Sequence, residues 1–133
     1  MSFLLDTNTC SAYLKRRRGM NHRFVQHSGR LHVATIVLGE LFTWAYKRSN
    51  PQPTLDAISN ELLPQVNVLG FDQNSAHLFG KTRAAMLNKG HSIDGIDLEI
   101  AVIALHHDLT LITNNTSDFR FVPNLRLDDW LVP

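Results

Sequence analysis

Phe3-Leu4-Leu5-Asp6-Thr7-Asn8 is the stretch from which the fold is read. A short apolar run stops at a carboxylate, as a buried strand ending in a polar residue does. Thr7, Asn8 and Thr9 are helix-capping types, and a helix is expected through Ser11-Ala12-Tyr13-Leu14. It should close in Lys15-Arg16-Arg17-Arg18-Gly19, with cations at its C-terminus and a glycine stop.

The same alternation continues outward from this unit. Residues 20–28 read as a short helix with Phe24 and Val25 facing in, and Leu31-His32-Val33-Ala34 reads as a second strand. Thr35 is placed to cap a helix through Tyr46, which ends at Lys47-Arg48. Pro51 and Pro53 break the chain before another helix over residues 54–63. Residues 66–71 alternate like a strand, and a helix is expected from an Asp72 cap to Leu87, stopping at Asn88-Lys89-Gly90. Asp94 to His107 is apolar nearly all round, as a buried helix is. Leu109–Thr113 reads as a buried strand, Asn114–Ser117 as a polar turn, and Leu125–Leu127 as a last short strand. Strands alternating with helices favour a layered α/β domain with a mostly parallel sheet, one domain over residues 1–133. Such sheets carry their functional groups beyond the carboxyl ends of the strands.

With 44% hydrophobic and 19% charged residues, the 133-residue chain can bury a core. Its single cysteine, Cys10, excludes a disulfide framework and a thiolate metal cage. No apolar run approaches the ~20 residues of a membrane helix, and the N-terminus does not resemble a signal peptide, so a cytoplasmic protein without membrane contact is expected. The net charge of +1 hides an uneven split. Residues 1–50 carry eight Lys/Arg against Asp6 and Glu40; residues 51–133 carry five against ten acids. A basic half suggests a polyanionic partner, and its two acids become conspicuous.

Asp6 follows a strand, where a site is expected, although helix capping would also explain it. Glu40 interrupts an apolar helix and must face either solvent or a polar cleft. Asp97 could be a first-turn acid behind an Asp94 cap, and Asp118 could cap ahead of Phe119. Taken together, these acids can converge on one edge of a parallel sheet. Converging carboxylates raise one another's pKa values, and a hard divalent cation, Mg²⁺ or Mn²⁺, resolves the conflict. Such a centre suits phosphodiester hydrolysis without a nucleophilic side chain.

Four motifs in order carry a resemblance over essentially the whole chain. They are Leu4-Leu5-Asp6-Thr7-Asn8, Thr35-x-x-x-x-Glu40-Leu41, Asp97-x-x-Ile100-Ala101 and Thr113-Asn114-Asn115-x-x-Asp118-Phe119. They resemble the motifs of PIN-domain ribonucleases, and Val122–Trp130 looks like the C-terminus of the VapC-type toxins in that family. The resemblance implies a three-layer α/β/α fold and a Mg²⁺- or Mn²⁺-dependent endoribonuclease from a toxin–antitoxin pair. It further implies a VapB-type antitoxin and a homodimer. By the same resemblance Asp6, Glu40 and Asp97 hold metal, Asp118 is the fourth acid, and Asn8, Thr35 and Asn114 support the site. One departure stands out. Many such toxins have Gly-Pro before the third acid, whereas Ile93-Asp94-Gly95-Ile96-Asp97 has no proline and an added acid, so Asp94 is a possible extra ligand.

Lys15, Arg16, Arg17 and Arg18 could bind RNA phosphates near Asp6, as a positive rim around the acidic pocket, could form a solvated helix end, or could do both. The seven histidines lack metal spacing and are read as non-catalytic. Trp44 and Trp130 are read as packing residues, and Tyr46 with Lys47-Arg48 as open to either RNA or antitoxin. The rival readings are a catalytically silent PIN-like binding module and an aspartyl-nucleophile phosphatase. Asp6-Thr7-Asn8 lacks the second acid, two residues on, that a haloacid-dehalogenase-type phosphatase would show.

Overall fold

The computed structural model describes residues 1–131. The strands β1 (Phe3–Leu5), β2 (Leu31–Ala34), β3 (Asn67–Leu69), β4 (Thr110–Ile112) and β5 (Leu127–Asp128) form one sheet. Its order is β3-β2-β1-β4-β5 and every neighbouring pair is parallel. Three residues suffice for the central strands because β1 and β4 are buried along their whole length. In register, Phe3, Leu4 and Leu5 face Thr110, Leu111 and Ile112.

The helices are α1 (Thr7–Leu14), α2 (Met20–Gln26), α3 (Thr35–Tyr46), α4 (Gln52–Ala57), α5 (Gln73–Asn88), α6 (Gly95–His106) and α7 (Thr116–Phe119). From β1 to β3 the chain steps outward through α1–α4, then returns across the sheet through α5 and α6 to β4. Right-handed crossovers therefore place α1–α4 on one face and α5–α6 on the other, giving three layers. The direction of travel reverses between β1 and β4, and the crevice beyond their carboxyl ends is where such folds bind ligands. That reversal puts the residues following Leu5 and Ile112 side by side: the Asp6 N–H donates to the Ile112 carbonyl at 3.1 Å.

The sequence expectations hold with local corrections. In α6, Leu98 and Ile100–Ala104 are all buried, as an all-round apolar helix requires. Val25 does not face in: it is 68% exposed, while Phe24 is buried and stacks on Tyr13 at 3.7 Å. Thr35 begins α3 without capping it, because Ala34 holds the N-cap position in extended backbone. The helix expected over residues 54–63 is α4 followed by a π turn at Ile58–Leu62 and a 3-10 turn at Leu63–Gln65. The last strand falls at Leu127–Asp128, slightly later than expected.

Trp130 is buried as expected, with its ring 5.2 Å from those of both Phe3 and His27. Trp44 is only half-buried and lies between Lys15 and Arg48, at 5.4 and 5.7 Å. Among the described residues no helix is long and apolar enough to cross a membrane.

Candidate active site

Asp6 is both a strand-end acid and a helix cap. It is buried, its backbone is extended, and its Oδ1 accepts the Thr9 N–H at 2.8 Å. The Thr9 hydroxyl donates to the Ile112 carbonyl at 3.2 Å, tying the start of α1 to the end of β4. Capping uses one carboxylate oxygen, so capping and ligand roles are compatible.

Glu40 lies near the middle of α3 and is half-buried. The Thr7 hydroxyl donates to its Oε1 at 2.5 Å. Thr7 was read from the sequence only as a capping type; its position directly after Asp6 is the signal that could have marked it. Asn8 and Asn114 meet across the sheet reversal, with Asn8 Nδ2 donating to Asn114 Oδ1 at 3.3 Å. The Thr113 hydroxyl accepts the Asn115 N–H at 3.0 Å and shapes the turn after β4. Thr35 is exposed and makes no side-chain hydrogen bond among the described residues.

Asp94 is the N-cap of α6: its carboxylate accepts the Ile96 N–H at 3.2 Å. Asp97 is in the first turn of that helix and half-buried. Its carboxyl is held above the ordinary carboxylate range, first by burial and then by the charges of Asp94, Asp118, Glu40 and Asp6. Asp94, Asp118, Glu40 and Asp6 therefore all lie within electrostatic reach of Asp97. Among the described residues no Lys, Arg or His forms an ion pair with any of these five.

A cleft of about 370 Å³ opens over part of this cluster, lined by Ser92, Ile93, Asp94, Asp97, Ser117, Asp118 and Phe121. Asp6 and Glu40 stand outside that lining. As the side chains stand, no three acids, histidines or cysteines among the described residues are close enough to clasp one ion. The donor set is all oxygen and lacks a compensating cation, which fits a hard divalent metal rather than a soft one. Phe121, a large exposed aromatic in the cleft wall, was not singled out from the sequence.

Lys15–Arg18 lies at the far end of α1 from Asp6, eight helical residues or about 12 Å away. All four cations are exposed, and Arg16 pairs with Glu61 at 2.8 Å. The run therefore does not rim the acids directly.

Thr7→Val tests the support of Glu40. The change keeps the shape and removes the donor. Activity or metal affinity should fall roughly 10- to 100-fold, the usual cost of losing a hydrogen bond that orients a ligand. A metal titration of the melting temperature checks this: an unchanged midpoint would remove Thr7 from the site.

A family model described as PIN domain matches residues 3–124. The chain is 32% identical to the tRNA(fMet)-specific endonuclease VapC of Salmonella typhimurium (strain LT2), over 98% of both chains. It is similar to the solved DNA-bound VapBC from Salmonella typhimurium, with a TM-score of 0.89, 32% identity and 98% of each chain covered. Against VapBC2 from Rickettsia felis, solved with a fragment of promoter DNA, the TM-score is 0.90 at 26% identity, covering 98% of this chain and 99% of that one.

Proposed function

The chain belongs to the PIN domain family, and from that membership and the acid cluster we propose that Asp6, Glu40 and Asp97 hold the divalent cation with which it cleaves RNA. The protein is an endoribonuclease of the VapC kind, the toxin of a toxin–antitoxin pair, and its protein partner is an antitoxin of the VapB type. It is metal-dependent; Mg²⁺ or Mn²⁺ is the proposed ion. The observation that carries the site is Asp97, whose carboxyl is raised by burial and by four neighbouring acids and is met by no cation among the described residues.

When bound, such a cation lowers the pKa of a water and neutralises charge gathering on the phosphate. The rest falls to the chain's own residues. Asp6 is fixed by its bond to Thr9, which uses one of its two carboxylate oxygens. Thr7 holds Glu40 in one orientation. The Asn8–Asn114 bond keeps the ends of β1 and β4 in register around the site. Asp118, exposed on α7, is proposed to assist metal binding or to position the attacking water. Asp94 commits one oxygen to its helix cap and contributes negative charge beside Asp97, whether or not it joins the ligands. Lys15–Arg18 is proposed to bind phosphates flanking the cut, one helix length from it. A homodimer, a cytoplasmic location and a single functional domain complete the proposal.

The test is cleavage of RNA by the purified toxin freed of antitoxin, with Mg²⁺, Mn²⁺ or EDTA. The relative's specificity makes tRNA(fMet) the first substrate to try, alongside total RNA with mapped ends. Cleavage that starts with metal and stops with EDTA is expected; cleavage indifferent to EDTA would overturn the metal centre. Full loss of activity with metal present would revive the silent binding module.

A further inference from the structure

We propose that Phe121, seated on His91 in the wall of the acidic cleft, is the platform on which an RNA base next to the scissile phosphate stacks. This rests on the ribonuclease reading above and adds a residue that determines substrate position.

The first observation is location. Phe121 lines the same cleft as Asp94, Asp97 and Asp118, so a phosphate drawn to those acids by a cation brings its neighbouring base to the ring. The second is that exposure here is built. Phe119 and Val122 on either side are buried, and the Val122 N–H bonds the Phe119 carbonyl at 3.0 Å. Between these anchors Phe121 is 46% exposed. Its exposure follows from how the turn is pinned.

The third is support from behind. The rings of His91 and Phe121 are parallel within 8°, with centroids 3.8 Å apart. His91 is delivered there by the end of α5. Gly90 takes a left-handed conformation at φ 77°, and the His91 N–H returns to the Met86 carbonyl at 2.9 Å. A ring backed in this way keeps its orientation, so little freedom is lost when a base arrives. The fourth is charge. The Arg120 guanidinium lies 4.7 Å from the centroid of the same ring, on an exposed and flexible stem. A base can displace it or lie against its plane, and it then remains near the flanking phosphate.

An aromatic ring could also receive a side chain of the antitoxin. The Arg120 guanidinium beside the ring favours RNA, because it pairs with the phosphate flanking a stacked base and repels a basic peptide that the carboxylates of the lining would otherwise draw.

Two measurements test the platform. In steady-state cleavage, Phe121→Ala should raise KM between roughly five- and one-hundred-fold, the range expected for losing one base–aromatic stack, with kcat within about threefold. Phe121→Tyr should restore KM. In the second measurement the Asp6→Asn protein, expected to cleave at least roughly a hundredfold more slowly, is mixed with short single-stranded RNAs carrying 2-aminopurine at successive positions. Quenching at one position, lost on adding Phe121→Ala and kept with Phe121→Tyr, supports the platform. An unchanged KM together with unchanged quenching overturns it. Weaker antitoxin binding by Phe121→Ala with RNA parameters untouched also overturns it, and gives the ring to the protein partner. If the wild type fails to cleave RNA, the ribonuclease reading falls, while the quenching pattern still decides for or against the platform. Matching melting temperatures exclude misfolding as the cause.

Discussion

Asp6→Asn is expected to leave the protein folded and to reduce cleavage by at least roughly two orders of magnitude, since a metal's charge stabilisation of the transition state is worth several kcal/mol. The choice of asparagine separates two roles that share one side chain. Asp6 Oδ1 caps α1 through the Thr9 N–H, and an amide oxygen in the same place accepts that bond as well. What asparagine removes is the negative charge. Asp6→Ala removes the cap too, and should cost about 1 kcal/mol of stability in addition. The pair of variants therefore predicts a pattern: both are inactive, and only the alanine form melts earlier without metal.

The opposite pattern would be informative. An Asp6→Asn protein that cleaves at the wild-type rate would leave Asp6 as a cap alone, and the centre would have to be built from Glu40, Asp97 and Asp118. A variant that loses activity together with its fold would be identified by circular dichroism, which does not depend on the carboxylate charge.

The fold was legible because burial leaves a direct imprint on short strands. Phe3–Leu5 and Leu109–Thr113 are apolar runs bounded by polar residues, and no other element type accounts for them so simply. The order of the strands was not legible, since parallel register depends on crossovers rather than on any residue. The π turn at Ile58–Leu62 was missed because its apolar spacing fits an ordinary helix. Val25 was placed inward on hydrophobicity alone, whereas the short α2 has room to bury Met20 and Phe24 but not their neighbour.

Within the site, the acids were legible because each sits where an apolar pattern stops or is interrupted. Their supports were less so. Thr7 takes its role from an α3 residue 33 positions away, and nothing local in the sequence shows that contact. Phe121 has the composition of a core residue and the position of a surface one, a distinction made only by the pinned turn between Phe119 and Val122. The basic run was placed near Asp6 because both flank α1, but eight helical residues hold them at opposite ends.

Asp97→Asn is expected to raise the melting temperature of the metal-free protein at neutral pH while removing most of the stabilisation that metal confers. Asp94, not Asp97, caps α6, so replacing Asp97 breaks no cap. Its charge gains something from the N-terminal end of the helix, but partial burial and four acids oppose it, and the raised carboxyl gives the sign of the balance. That sign dictates the pH dependence. A carboxyl whose folded pKa is raised holds its proton in the native state after the unfolded chain has released it. Stability from this group is thus full below the unfolded value, about 3.9, and is lost as pH rises through the raised folded value. Other groups act oppositely. Asp72, held low by the Ser75 N–H and hydroxyl, favours the folded state at higher pH. The readout is therefore the difference between wild type and variant across pH, which should grow from near zero in acid to a plateau above the folded value. Divalent ion at a hundredfold excess over Kd stabilises a one-site protein by about 2.7 kcal/mol, on the order of 10 °C for a domain this size. Wild type should show that rise at neutral pH, and Asp97→Asn only a small part of it. A variant that melts earlier than wild type without metal, at every pH, would mean that the favourable helix-end interaction outweighs the repulsion. Asp97 would then be a structural acid that happens to stand near the centre.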